Sequence, residues 1–165
     1  RLELPADAKV AYLTQTTLSV DDAERIVRRL KTRFPHIVGP PRDDICYATQ
    51  NRQEAVRRMA ASADIVLVVG SRNSSNSRRL AEIAESMGVE ARLIDGPEHL
   101  QPQWFRDDQT VGITAGASAP EHLVQGCVDW LRERFEASVE SFALREENVR
   151  FPLPVELRSE FDATS

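Results

Sequence analysis

The stretch VLVVGSRNSSNSRRLAEIA, residues 66–84, decides how this chain is read. Residues 64–70 form an apolar run of the kind found in a strand covered on both faces of a sheet. The run empties into eight residues of Gly, Ser, Arg and Asn at 70–77. Beyond them Leu80, Ile83, Ala84 and Met87 recur at helical spacing and mark a buried stripe. A strand-to-helix turn needs one capping side chain, yet Asn73, Ser74, Ser75, Asn76 and Ser77 follow one another. Two readings stay open: a generous cap, or a loop whose hydroxyls and amides hold a ligand.

The same rhythm occurs on either side. Residues 9–13 read as a strand and 14–19 as a loop, followed by a helix with Ala23, Ile26, Val27, Leu30 and Phe34 on one face. Residues 110–114 read as a strand that passes through 115–119 into a helix. There Pro120 sits at the first turn, and Leu123, Val124, Cys127 and Leu131 face inward. Residues 51–63 predict a helix feeding the 64–70 strand, and 90–96 a short strand after Gly88, a helix terminator. Strands alternating with helices imply an α/β chain of parallel-sheet βαβ units. The segment 36–44, with Gly39, Pro40 and Pro41, predicts a linker. The expected organisation is therefore part of a preceding α/β domain at 1–42, a complete one at 43–135, and a wrapping tail at 136–165 in which Pro152 and Pro154 interrupt an edge strand. The chain opens on Arg1 rather than Met, so it is expected to begin inside a longer gene product.

Composition narrows the function. A hydrophobic share of 41% with 28% charged residues is that of a soluble globular chain, and the formal charge of −5 argues against a nucleic-acid binder. No apolar run reaches the roughly 18 residues of a membrane helix, and no secretory signal is evident. Two cysteines in 165 residues are a poor disulfide framework, so a reducing, cytoplasmic compartment is expected.

The three polar loops fall beyond the carboxyl ends of parallel strands, where open α/β sheets bind ligands. Helix N-termini there offer unpaired N–H groups and a partial positive charge to an oxyanion. TQTT (14–17), SSN (74–76) and GAS (116–118) add short neutral donors. There is no GxGxxG and no GxxxxGK[ST], so this pattern indicates an anion site without a nucleotide fingerprint. Cys46 precedes a helix, a position that suits a nucleophile or a metal ligand, although a free Cys is most often a small buried hydrophobe. Cys127 lies on an apolar stripe and reads as packing. His36, His99 and His122 form no HExxH or triad spacing, and Asp43 and Asp44 read as linker solvation or helix capping.

Taken together, TQTTLSVDD, RFPHIVGPPRDDICYATQNRQEAV, VLVVGSRNSSNSRRLAEIA, VGITAGASAPEHLVQ and the tail REENVRFPLPVELR resemble one family in order, over nearly the whole chain. It is the 4-hydroxy-3-methylbut-2-enyl diphosphate reductase (IspH/LytB) family of non-mevalonate isoprenoid biosynthesis. The resemblance implies an iron–sulfur oxidoreductase that removes an allylic hydroxyl reductively, giving isopentenyl and dimethylallyl diphosphate. It further implies that Cys46 is one of three thiolate ligands of a [4Fe-4S] cluster and that Thr16 sits by the substrate hydroxyl. Ser74, Ser75, Asn76 and Ser118 match the family's diphosphate-binding residues. The implied partners are the allylic diphosphate substrate and an electron donor such as ferredoxin or flavodoxin.

The departure from the family is its first half. Two further cluster cysteines, the histidines near the diphosphate and a proton-relay glutamate have no counterpart here, so the family's missing N-terminal part is itself an expected partner. A cluster needs three or four thiolates, and the chain alone is expected to be inactive and cluster-free. Two other readings stand beside it: a non-catalytic α/β anion- or nucleotide-binding module, and an enzyme using Cys46 as a nucleophile with a base distant in sequence.

Overall fold

The computed structural model describes residues 4–5, 8–40 and 45–142. Its centre is β1 (Ile65–Val69), flanked by β2 (Glu90–Ile94) and β3 (Val111–Ala115) in a three-stranded sheet of order β2-β1-β3. Both pairings are parallel, with Ile65 opposite Glu90 on one side and Val111 on the other. Every residue of β1 is buried, which is why its sequence is apolar throughout rather than alternating.

Successive side chains of β1 point to opposite faces. Val66 and Val68 enter a core with Val56 and Ala60 of α2 (Tyr47–Ala60) and Leu80, Ile83 and Ala84 of α3 (Ser75–Ser86). Ile65, Leu67 and Val69 enter the opposite core with Leu100, Phe105, and Cys127 and Leu131 of α4 (Glu121–Phe135). The fold is thus α/β, with a parallel sheet covered on both faces.

α1 (Val20–Arg33) precedes this unit. Ser19 caps it by accepting from Asp22 N at 3.4 Å, and two ion pairs tie its first turn to the sheet-covering helices. Asp21 meets Arg57 of α2 at 2.6 Å, and Asp22 meets Arg79 of α3 at 3.5 Å.

Several expectations shift. The strand expected at 9–13 is reduced to a single parallel bridge, Ala11 to Val38, closed by Tyr12 N–H to Val38 O and Val38 N–H to Val10 O. A strand requires neighbours, and Val38, from the stretch read as linker, is the one bridge partner this segment has among the described residues. The stripe on α1 is correspondingly only half covered: Ala23 is buried, whereas Ile26 is 50% exposed. The helix expected at 51–63 starts four residues earlier, at Tyr47, and stops at Ala60. Met87, expected in the core, is exposed because α3 ends at Ser86 and Met87 is its C-cap. Gly88, at φ 83°, then terminates the helix as anticipated. Pro120 is the N-cap of α4 rather than its first residue. Residues 136–142 have no regular structure, and the interrupted edge strand around Pro152 and Pro154 lies outside the described residues, as do Asp43 and Asp44.

Candidate functional site

The loop after β1 divides its polar residues among distinct tasks. Ser71 starts a turn, its carbonyl accepting from Ser74 N at 2.9 Å. Ser74 is the N-cap of α3, its hydroxyl accepting from Ser77 N at 3.2 Å. That satisfies the ordinary capping requirement with one side chain. Ser75 Oγ lies 2.9 Å from Thr17 Oγ1, which joins the TQTT loop to the head of α3.

Ser77 is buried between the ends of β1 and β3. A Cβ on Gly70 would lie 2.4 Å from Ser77 Oγ, and one on Gly116 would lie 2.2 Å from it. Both positions therefore need glycine for close approach. The hydrogen bond from Gly116 N to Val69 O, 2.9 Å, continues the sheet to this point.

Asn76 is the residue without an internal task. It is 8% exposed, and neither its Oδ1 nor its Nδ2 has a hydrogen-bond partner. An unsatisfied buried polar group costs about 1–3 kcal/mol. Its Nδ2 lies 3.9 Å from where a Cβ on Gly116 would stand, so the carboxamide sits beside the GAS loop. The intrahelical ladder of α3 begins with Arg78 N to Ser74 O, so the N–H groups of Ser75 and Asn76 precede it, as the first donors of any helix do.

Cys46 is exposed and forms the N-cap of α2, with no capping hydrogen bond from its side chain. Its N–H donates to Thr16 O at 3.4 Å, so the thiol-bearing residue and the TQTT loop adjoin. Hydrogen bonds thus run from Cys46 to Thr16 and from Thr17 to Ser75, and the Asn76 carboxamide lies near Gly116. Ser118 is exposed on the turn closed by Ala119 N to Gly116 O, 3.0 Å, two residues from Gly116.

Cys127 is separate. It is fully buried in the α4 core, and burial first, then the charge of Glu98, push its thiol up to about 11. Its reading as packing holds. His99 Nδ1 lies 3.2 Å from Oε1 of the neighbouring Glu98. Among the described residues no group of three or more His, Cys, Asp or Glu could hold a metal ion, and no helix is long and apolar enough to cross a membrane.

Two residues escaped the reading of the sequence. Thr17, not only Thr16, is bonded across to α3. Gln53 is fully buried, accepts from Val20 N at 3.1 Å and donates to Leu18 O at 3.0 Å. The signal for Gln53 was available: it occupies the buried stripe Thr49, Gln53, Val56, Ala60 of α2, where a polar side chain must have partners.

Chemically, the arrangement offers neutral hydroxyl and amide groups at the head of α3 and an exposed thiol at the head of α2. The LytB protein family matches residues 1–132. The chain is 59% identical over 159 residues to the 4-hydroxy-3-methylbut-2-enyl diphosphate reductase of Rhodopirellula baltica, covering 96% of this chain and 50% of that protein. It is 55% identical to the enzyme of the same name from Azotobacter vinelandii, again over 96% of the chain and 50% of the relative. Among solved structures, the E-1-hydroxy-2-methyl-but-2-enyl-4-diphosphate reductase of Plasmodium falciparum superposes with a TM-score of 0.87 at 34% identity, over 99% of this chain and 52% of that one. The chain spans about half the length of the curated relatives it matches.

Proposed function

This chain belongs to the LytB protein family, and from that premise we propose that it is one part of a 4-hydroxy-3-methylbut-2-enyl diphosphate reductase. In this reading it supplies the diphosphate-binding loops and one cluster thiolate, and the remaining half comes from the portion of the relatives that it does not span. Asn76 carries the reading. Its carboxamide is desolvated without a partner, at a helix head, next to Ser75 and the GAS loop. A diphosphate brings many acceptor oxygens to such a place, and helix N-termini favour them. Ser74, Ser75 and Ser118 would complete a neutral cradle that orients the allylic end, and Thr16 would stand by the hydroxyl to be removed. Positioning of this kind lowers a barrier by several kcal/mol.

The [4Fe-4S] cluster of the family does not fit this chain alone. The sequence has two cysteines, and Cys127 is buried in the α4 core. Cys46, exposed at a helix head, suits one thiolate ligand of iron. The other thiolates would belong to the unspanned half. When bound there, the cluster would supply electrons and a Lewis-acidic iron. The electrons would come from an external donor such as ferredoxin or flavodoxin, in the cytoplasm.

The test uses the 165-residue chain and the whole polypeptide side by side. Iron and sulfide reconstitution should leave the chain without a stoichiometric cluster and the whole polypeptide with one. In the latter, Asn76→Ala should raise KM for the allylic diphosphate at least tenfold. An unchanged KM and kcat would remove Asn76 from the site, and a whole polypeptide without reductase activity would favour a non-catalytic module.

A further inference from the structure

Cys46, the N-cap of α2, and Gln53 within it are seven residues apart, close to two turns or about 10 Å along the axis. Both engage the same loop. At one end Cys46 N–H donates to Thr16 O at 3.4 Å. At the other, the Gln53 carboxamide accepts from Val20 N at 3.1 Å and donates to Leu18 O at 3.0 Å. Residues 16–20 are therefore laid along the head of α2 and tied at both ends.

Gln53 is the stronger tie. It is fully buried, and both ends of its amide are used on backbone groups either side of Ser19. Val20 N–H is among the first-turn donors of α1, which have no partner within their own helix. The single amide therefore fixes both where the loop ends and where α1 begins. It does so from the helix whose N-cap is Cys46, so thiol and loop are referenced to one rigid element.

We infer that Gln53 is a positioning residue: its two hydrogen bonds hold the Thr16–Thr17 hydroxyls in register with the Cys46 thiol. The inference rests on the reductase reading for its catalytic consequence, but not for its geometry. Both of these hydrogen bonds go to the loop backbone, so Gln53 acts through the loop. Thr17 also meets Ser75 at the head of α3, which Ser74 caps independently.

The experiment compares the 165-residue chain with Gln53→Met, which keeps the length of the side chain but neither hydrogen bond. Gln53→Glu, which keeps the volume and an acceptor for Val20 N–H, is the variant to use if Gln53→Met fails to fold. The probe is iodoacetamide alkylation of Cys46, Cys127 being buried. Alkylation should quicken at least threefold in Gln53→Met, with Gln53→Glu between it and the parent. In the whole reductase the same variants should lower kcat about tenfold while KM stays within twofold, because the α3 head is not altered. A purely structural glutamine would lower thermal stability without moving either number. An unchanged Cys46 rate in a folded variant overturns the clamp, whatever reaction the whole protein runs. A quickened rate with parental kcat overturns the catalytic role of the clamp and leaves the reductase reading standing. Absence of reductase activity with Gln53 intact is the separate outcome that sinks that reading.

Discussion

The hydroxyls of Thr17 and Ser75, 58 positions apart in sequence, lie 2.9 Å from one another. This bond joins the loop before α1 to the head of α3, and with the Asp21–Arg57 and Asp22–Arg79 pairs it seats the first segment on the α/β unit. Replacing Thr17 by Val removes the hydroxyl and keeps the shape. The expected cost is about 1 kcal/mol, since Ser75 is only part-buried and water can take the vacated place. Urea melts of the two chains read this directly, and a loss below a tenth of that value would mean that the bond contributes nothing in solution.

Ser74 and Asn76 sit two residues apart and should respond oppositely to truncation. Ser74→Ala deletes a working cap and should destabilise by about 1 kcal/mol. Asn76→Ala deletes a carboxamide with no partner, so the chain should be as stable as its parent or more so. Thermal denaturation of both variants decides it; an Asn76→Ala loss equal to that of Ser74→Ala would show that the carboxamide is satisfied internally.

Gly116 tests the packing around Ser77. A Cβ there would stand 2.2 Å from Ser77 Oγ and 3.5 Å from Ser77 Cβ. Gly116→Ala should therefore cost about 1–3 kcal/mol by overpacking. Ser77→Ala in the same chain removes the clashing oxygen and should recover most of the loss. A double variant no better than Gly116→Ala would place the strain elsewhere.

Cys127 sets an alkaline limit. Burial first, and then the charge of Glu98, raise its folded-state pKa to about 11 from an ordinary 9.0. Below pH 9 both states keep the proton and the thiol's burial is fully available. Between pH 9 and 11 the unfolded chain ionises while the folded one holds its proton, so stability falls as pH rises, by up to about 2–3 kcal/mol. Replacing Cys127 by Ala should flatten that slope in melts taken from pH 8 to 10.5. An identical slope would assign it to other groups.

Much of the architecture was legible because it follows from burial. β1 is apolar at every position since both faces are covered, and α3 and α4 carry stripes that match the two cores. Cys127 declared itself by its place on such a stripe. The errors fall where the sequence pattern depends on neighbours. Residues 9–13 have strand composition, but a strand is realised only beside another, and Val38 offers one bridge. Ile26 has the spacing of a core residue and stays half exposed for want of a covering element.

The chain's own residues settled the kind of fold and the chemistry of its loops, because hydrophobic period and turn composition are local properties. They also supplied the strings by which the family is known. Which hydroxyl caps a helix, which bridges to another loop and which amide is left without a partner were settled only by the folded arrangement. Those distinctions depend on distances between residues as far apart as Thr17 and Ser75, or Gln53 and Leu18, which no local pattern encodes.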